Sequence, residues 1–256
     1  MILQVGPSAP VVLQVAASAI LFAHIGGAFV GLISGGAAML LRKGGALHRA
    51  LGTVFCLAML TMAGVGAAVA PFLPEDQLPN TVAGLLTCYL VATAWMTVRR
   101  GAPGAPEAAA LLVPLGVAAA GAWLIWRNSI AAHPAAGPEV DGAFVFAIVG
   151  ALAVAADLSV FLRRGVSGAA RLSRHLWRMS AALLIAAGSF AGQPKAIPPF
   201  LHGSPLIWLP ALMTLALMLY WLVRVRLPKR RTAGSALARA SRASRVLGPN
   251  AAASRG

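Results

Sequence analysis

Acidic residues are almost missing from this chain: six Asp and Glu stand against 21 Lys and Arg in 256 residues. Charge of either sign is scarce as well. Only 11% of residues are charged, where a soluble domain carries about 25%. With 59% of residues hydrophobic, so few ionised groups cannot cover a water-soluble core, whereas a bilayer can accept that surface. Cysteine is nearly absent too. Cys56 and Cys88 lie inside apolar stretches and read as small buried hydrophobes, so no disulfide framework is implied. There is no Walker A loop, strand-associated GxGxxG, HExxH, CxxC or Gly-x-Ser-x-Gly, which removes the commonest routes to nucleotide and hydrolytic chemistry. Whether the chain is an enzyme stays open on sequence alone.

Long apolar runs are what it has. A spanning helix needs roughly 20 mostly apolar residues, and seven candidates occur at 11–41, 50–73, 81–98, 108–126, 143–162, 177–198 and 205–223. Gly- and Pro-rich connectors separate them. All but Arg127 and Lys195 of the basic residues fall in alternate connectors or in the tail, and Glu75, Asp76, Glu139 and Asp141 fall on the opposite side. Lys and Arg are retained on the cytoplasmic side of short loops. The expected fold class is therefore all-α, a polytopic membrane helix bundle with seven transmembrane helices, N-terminus outside and C-terminus cytoplasmic. Trp95, Trp177 and Trp221 fall near predicted inner ends, and Trp123, Trp126 and Trp208 near outer ends, as an interfacial belt requires. Residues 1–226 form the expected transmembrane domain. Residues 227–256, rich in Arg, Ala and Ser and free of acid, form an expected disordered cytoplasmic tail resting on anionic lipid headgroups. Met1 to Pro10 lacks the basic start of a cleaved signal peptide, so the first run is expected to be kept as an anchor. The basic residues flank spans and form no recognisable nucleic-acid module, which excludes nucleic acid as the partner. Ala, Gly and Arg richness fits a bacterium with GC-rich DNA, and hence its inner membrane.

Few polar residues enter the spans. His24, Gly27, Gly31 and Gly35 share one helical stripe, where small residues let a second helix or a flat cofactor approach closely. At 1.5 Å per residue His24 lies about 25 Å above Leu41, in the outer half of a core about 30 Å thick. His48 opens the second span and His175 the sixth, each at the cytoplasmic end and each followed by small residues. His202 precedes the seventh span outside, and His133 reads as ordinary loop. Asp157 is the one acid inside a span. An ionised carboxylate there costs a few kcal/mol unless paired, so an ion pair with Arg163, Arg164 or an arginine leading into the sixth span competes with a proton-relay role. Gln193, Ser189 and Thr61 could line a polar path or bond their own backbone.

Two segments carry a resemblance. One runs from His24-Ile25-Gly26-Gly27 through Arg42-Lys43-Gly44-Gly45-Ala46-Leu47-His48-Arg49-Ala50-Leu51-Gly52. The other is Arg174-His175-Leu176-Trp177-Arg178-Met179-Ser180 with Gly188-Ser189-Phe190 and Gly192-Gln193. Together they resemble an uncharacterised bacterial family of multi-pass membrane proteins known as a predicted membrane protein domain of unknown function. That resemblance implies fold and location and brings no activity. Two functions follow from the residues. The first is a non-enzymatic inner-membrane protein for transport, sensing or assembly, with Asp157 as its polar centre. The second is a redox protein binding haem b, with His48 and His175 as an inner imidazole pair and His24 and His202 as an outer one.

Overall fold

The computed structural model describes residues 10–73, 78–100, 103–131, 138–192 and 199–227. Every regular element among them is helical: α1 (Val11–Leu40), α2 (Ala46–Val69), α3 (Leu78–Arg99), α4 (Ala105–Ala110), α5 (Leu112–Ser129), α6 (Pro138–Leu162), α7 (Gly168–Ala191) and α8 (Leu209–Arg226). Short 3₁₀ turns at Ala70–Phe72, Pro199–Leu201 and Pro205–Trp208 extend or connect them. The break between α4 and α5 falls at Leu111 and follows from Pro114. A proline has no N–H to offer the carbonyl of Ala110, and its ring crowds that carbonyl.

Contacts between small residues fix the packing. Along α1, Gly27 faces Ala58 and Met62, Gly31 faces Met59, and Gly35 faces Phe55. Position numbers rise on α1 as they fall on α2, so the two run antiparallel and the glycine stripe is filled by a neighbouring helix. Gly84 of α3 approaches Ala63 and Ala67 of α2 as closely. Helix α3 touches α2, α5, α6 and α7, while α7 touches α1, α3 and α8. These two helices form the centre of the bundle. Met59, Leu86, Leu90, Val91 and Ala94 are sealed there, whereas Phe22, Ile33, Leu112, Leu152 and Val223 stand on an apolar exterior.

Six elements are long and apolar enough to cross a membrane: α1, α2 with its 3₁₀ extension, α3, α4 with α5, α6 from Phe144, and α8. Helix α7 differs from its sequence expectation. It begins at Gly168, nine residues before the predicted start of the sixth span at 177, so Arg171 and Arg174 lie within a helix and not in a connector. Three arginines lower its hydropathy. Yet Arg174 and Arg178 are buried, and Leu172 on the far side is exposed. The polar face points inward. At 24 residues, α7 is about 36 Å long at 1.5 Å per residue. His133, Gln193, Lys195, Glu75, Asp76 and the tail beyond Leu227 lie outside the described residues.

A Cβ added at Gly84 would lie 2.7 Å from the Ala63 carbonyl oxygen, whereas one at Gly36 would meet nothing within 4 Å. Gly84→Val should therefore destabilise the protein in detergent by about 1–3 kcal/mol, the usual cost of overpacking. Gly36→Ala should leave the thermal midpoint unchanged or slightly raised. Equal midpoints for both variants would contradict the α2–α3 packing described above.

Candidate functional site: a buried ion triad and an imidazole pair

The polar face of α7 meets α3 in antiparallel register. Tyr89, Thr93 and Thr97 recur every fourth residue along α3 and form a hydroxyl stripe, while Arg178, Arg174 and Arg171 descend α7 opposite it. Asp157, near the end of α6, completes the cluster. It is 1% exposed, and Arg178 is fully buried. One carboxylate oxygen, Oδ1, is contacted by Arg174 Nη1 at 2.6 Å and by Arg178 Nη2. The other, Oδ2, accepts from the Tyr89 hydroxyl. Arg178 also donates to Thr93 Oγ1 and, at 3.1 Å, to the Tyr89 oxygen, while Arg174 Nε donates to Thr97 Oγ1 at 2.9 Å. Arg178 lies 5.1 Å from the Tyr89 ring and 5.3 Å from that of Trp177, within cation–π range. Of the pairings open on sequence, the structure selects Arg174 and Arg178, and leaves Arg163 and Arg164 exposed past the end of α6. Both oxygens of Asp157 are thus committed. A carboxylate with both oxygens engaged ties α6 to α3 and α7.

Arg171 has a different task. Its Nε and Nη2 donate to the carbonyls of Thr97 and Val98 at 2.8 and 2.6 Å, capping the otherwise unpaired C-terminus of α3. The C-terminus of α1 is capped in the same manner. Ala38 O accepts from Lys43 Nζ and from His48 Nδ1, each at 3.0 Å. Met39 O accepts from Lys43 Nζ and, at 3.1 Å, from Trp221 Nε1 of α8. Lys43 lies 4.4 Å from the Trp221 ring centre, and burial lowers its ammonium pKa from 10.5 to about 8.

Three histidines share one hydrogen-bond habit. His48 Nδ1 bonds Ala38 O at 3.0 Å, His175 Nδ1 bonds Ala94 O at 3.1 Å, and His24 Nδ1 bonds Met62 O at 2.8 Å. A carbonyl can only accept, so Nδ1 carries a proton in each, and in the neutral ring Nε2 holds the lone pair. That is the arrangement by which an outer hydrogen bond orients an imidazole ligand. His48 and His175 sit at the same end of the bundle, His48 against the end of α1 and His175 against α3. Gly52, one turn beyond His48 on the same stripe, borders open space, since a Cβ there would meet nothing within 4 Å. His24 is set apart against Gly66, which leaves room for its ring. His202 is exposed beyond the turn at Pro199–Leu201. Ser189 and Thr61 are exposed on the outer surfaces of α7 and α2 and do not join the Asp157 cluster. No group of three or more His, Cys, Asp or Glu side chains converges among the described residues.

Several participants were not singled out on sequence: Tyr89, Thr93, Thr97, Lys43 and Glu107. The hydroxyl stripe was available as a four-residue period on the third span.

The fold and its apolar exterior define a multi-pass membrane protein. No protein-family model, curated protein or solved structure matches the chain.

Removing the carboxylate charge leaves two guanidiniums facing each other in the bundle centre. Breaking a buried ion pair from one side costs about 3–5 kcal/mol. Asp157→Asn should therefore sharply reduce the yield and thermal midpoint of the protein in detergent. A variant as stable as wild type would show that the triad does not hold α7 in place.

Proposed function

We propose that the chain is a seven-span protein of the bacterial inner membrane, with its N-terminus outside and its C-terminus in the cytoplasm. Helix α7 is the additional span. Its length suffices, its arginines are matched internally, and its neighbours α1, α3 and α8 cover it. The end of the bundle that carries Lys43, Arg100, Arg171, Arg174 and Arg224 is the basic one, which supports placing it on the cytoplasmic side. Membership of the uncharacterised bacterial membrane family resembled by the His24–Gly52 and Arg174–Gln193 segments belongs to the same proposal. Reporter fusions test the orientation. A cytoplasmic reporter joined after Arg100 and after Leu227 should be active, and a periplasmic reporter inserted between Ile130 and Pro138 should be active. The opposite pattern would overturn it.

Within that frame, the proposed molecular role is non-enzymatic one-electron redox at a b-type haem held by His48 and His175. One observation carries this reading. Two imidazoles at the same end of the bundle, His48 against α1 and His175 against α3, each have Nδ1 tied to a backbone carbonyl, which leaves Nε2 of each neutral ring as a candidate ligand to iron. Gly52, one turn from His48, leaves α2 uncrowded at that position. A haem would supply the electron chemistry. The chain's own contribution would be to fix both imidazole rings through their backbone bonds, at the end of the bundle that carries its basic side chains. Proton transport through Asp157 is the weaker reading, because that carboxylate is enclosed and both its oxygens are engaged.

A reduced-minus-oxidised absorbance spectrum of the purified protein, expressed with ample haem supply, decides the matter. A Soret band with sharp reduced-state bands is expected, and His48→Ala or His175→Ala should abolish them. A spectrum without a Soret band refutes the haem reading and leaves transport, sensing or assembly as the class of role. A full signal in both variants refutes the ligand assignment alone.

A further inference from the structure

A cleft of about 20 Å³ opens at the basic end of the bundle, between the end of α3, the start of α4 and the turn from α6 to α7. Arg174, Thr97, Arg100 and Glu107 supply its polar wall, and Val160 and Val166 line its apolar side. We propose that this cleft binds a phosphate oxyanion, that of an anionic phospholipid headgroup in the adjoining leaflet.

Charge makes the argument. The Asp157 carboxylate faces two guanidiniums, Arg174 and Arg178, so the buried cluster is one positive charge in excess. Arg171 does not alter that balance, because its charge is set against the negative end of α3. Glu107 is buried in the cleft wall, where its Oε2 accepts from the Gly104 N–H at 3.0 Å and so serves as the cap of α4. Arg174 Nη1 is held at 2.6 Å by Oδ1 as an ion pair, and Arg178 Nε is buried without a hydrogen bond. Of the two guanidiniums, Arg174 forms a wall of the cleft, although its side chain is only 8% exposed.

Size selects the mode of binding. A space of about 20 Å³ takes a water molecule or one oxygen atom and not a whole phosphate. A non-bridging phosphate oxygen would enter toward Arg174 while the rest of the headgroup stays at the mouth. Arg100 stands there with its side chain 56% exposed, and its contact with Glu107 is too long for a hydrogen bond. A guanidinium is suited to pairing with phosphate oxygens. Basic pockets between spanning helices at a membrane face recognise anionic headgroups by this chemistry. The inference rests on the membrane location alone, and neither the haem spectrum nor the reporter orientation changes its outcome.

Native mass spectrometry of the full-length protein in detergent, titrated with phosphatidylglycerol or with diacylglycerol, which lacks the phosphate, tests it. Phosphatidylglycerol should bind about tenfold tighter, the effect of one charge-assisted contact. Arg100→Gln and Arg174→Lys should each remove most of that preference. The triple change of Arg239, Arg242 and Arg245 to Gln in the tail should leave it intact. Inorganic phosphate serves as the second probe. If it competes only weakly, the ligand is the lipid; if it binds as tightly as phosphatidylglycerol, the oxyanion site stands with free phosphate as its ligand. Equal binding of the two lipids overturns the proposal. So does an unchanged preference in Arg100→Gln, which lies outside the Asp157 cluster and should fold normally.

Discussion

The contact on which this bundle depends is the one between the Asp157 carboxylate and the paired guanidiniums of Arg174 and Arg178. A helix with arginines at three positions would not otherwise lie at the centre of a membrane protein. An unpaired charge in hydrocarbon costs several kcal/mol, and its hydrogen-bonding groups find no water. Here Asp157 supplies one anion, and the α3 hydroxyls of Tyr89, Thr93 and Thr97 supply acceptors for the guanidinium N–H groups that remain. The cluster therefore joins α3, α6 and α7 in one contact. Its strength lies less in net stability than in specificity. A well-packed apolar replacement of a whole buried ion cluster is often no less stable, whereas removal of one member is strongly destabilising.

That same cluster explains where sequence reading succeeded and where it stopped. The all-helical architecture and six spans are legible in apolar length, and Asp157 stands out as the single acid within a predicted span. Its partners were narrowed to arginines nearby in sequence. The choice among them depends on which face of α7 turns inward, and window hydropathy is blind to that, since it scores Arg178 the same whether it meets lipid or a carboxylate. For the same reason the sixth span was placed from 177 and the helix starts at Gly168. Glu107 escaped notice because it sits one residue before a predicted span, where a charge looks like a solvated loop residue. The structure instead buries it as a cap on the N-terminus of α4. Lys43 was counted only as a marker of the inner side, although its stem lets the ammonium fold back onto the last carbonyls of α1.

Helix ends give the second organising constraint. In a bilayer the last carbonyls of a helix need donors from the protein wherever water is excluded. At α1 they receive Lys43, His48 and Trp221, and at α3 they receive Arg171. A cap on a histidine uses only one of its two nitrogens. The structural role of His48 and a ligand role are thus compatible, because the cap fixes the tautomer that leaves Nε2 available. The close glycine contacts that bring α1 onto α2 likewise place Ala38 where His48 can reach it.

Capping and ion pairing together concentrate cationic side chains at one end of the bundle. Each cap there is cationic or carries a donor, and the buried cluster adds one guanidinium charge beyond what Asp157 neutralises. The opposite end lacks such a surplus among the described residues: Arg127 pairs with the Trp123 ring at 5.4 Å, and His202 is exposed. A positive field concentrated at one end favours anionic groups at that surface. The scarcity of acid in the chain is consistent with this. With six carboxylates for 21 basic residues, the protein leaves much of its neutralisation to molecules other than itself.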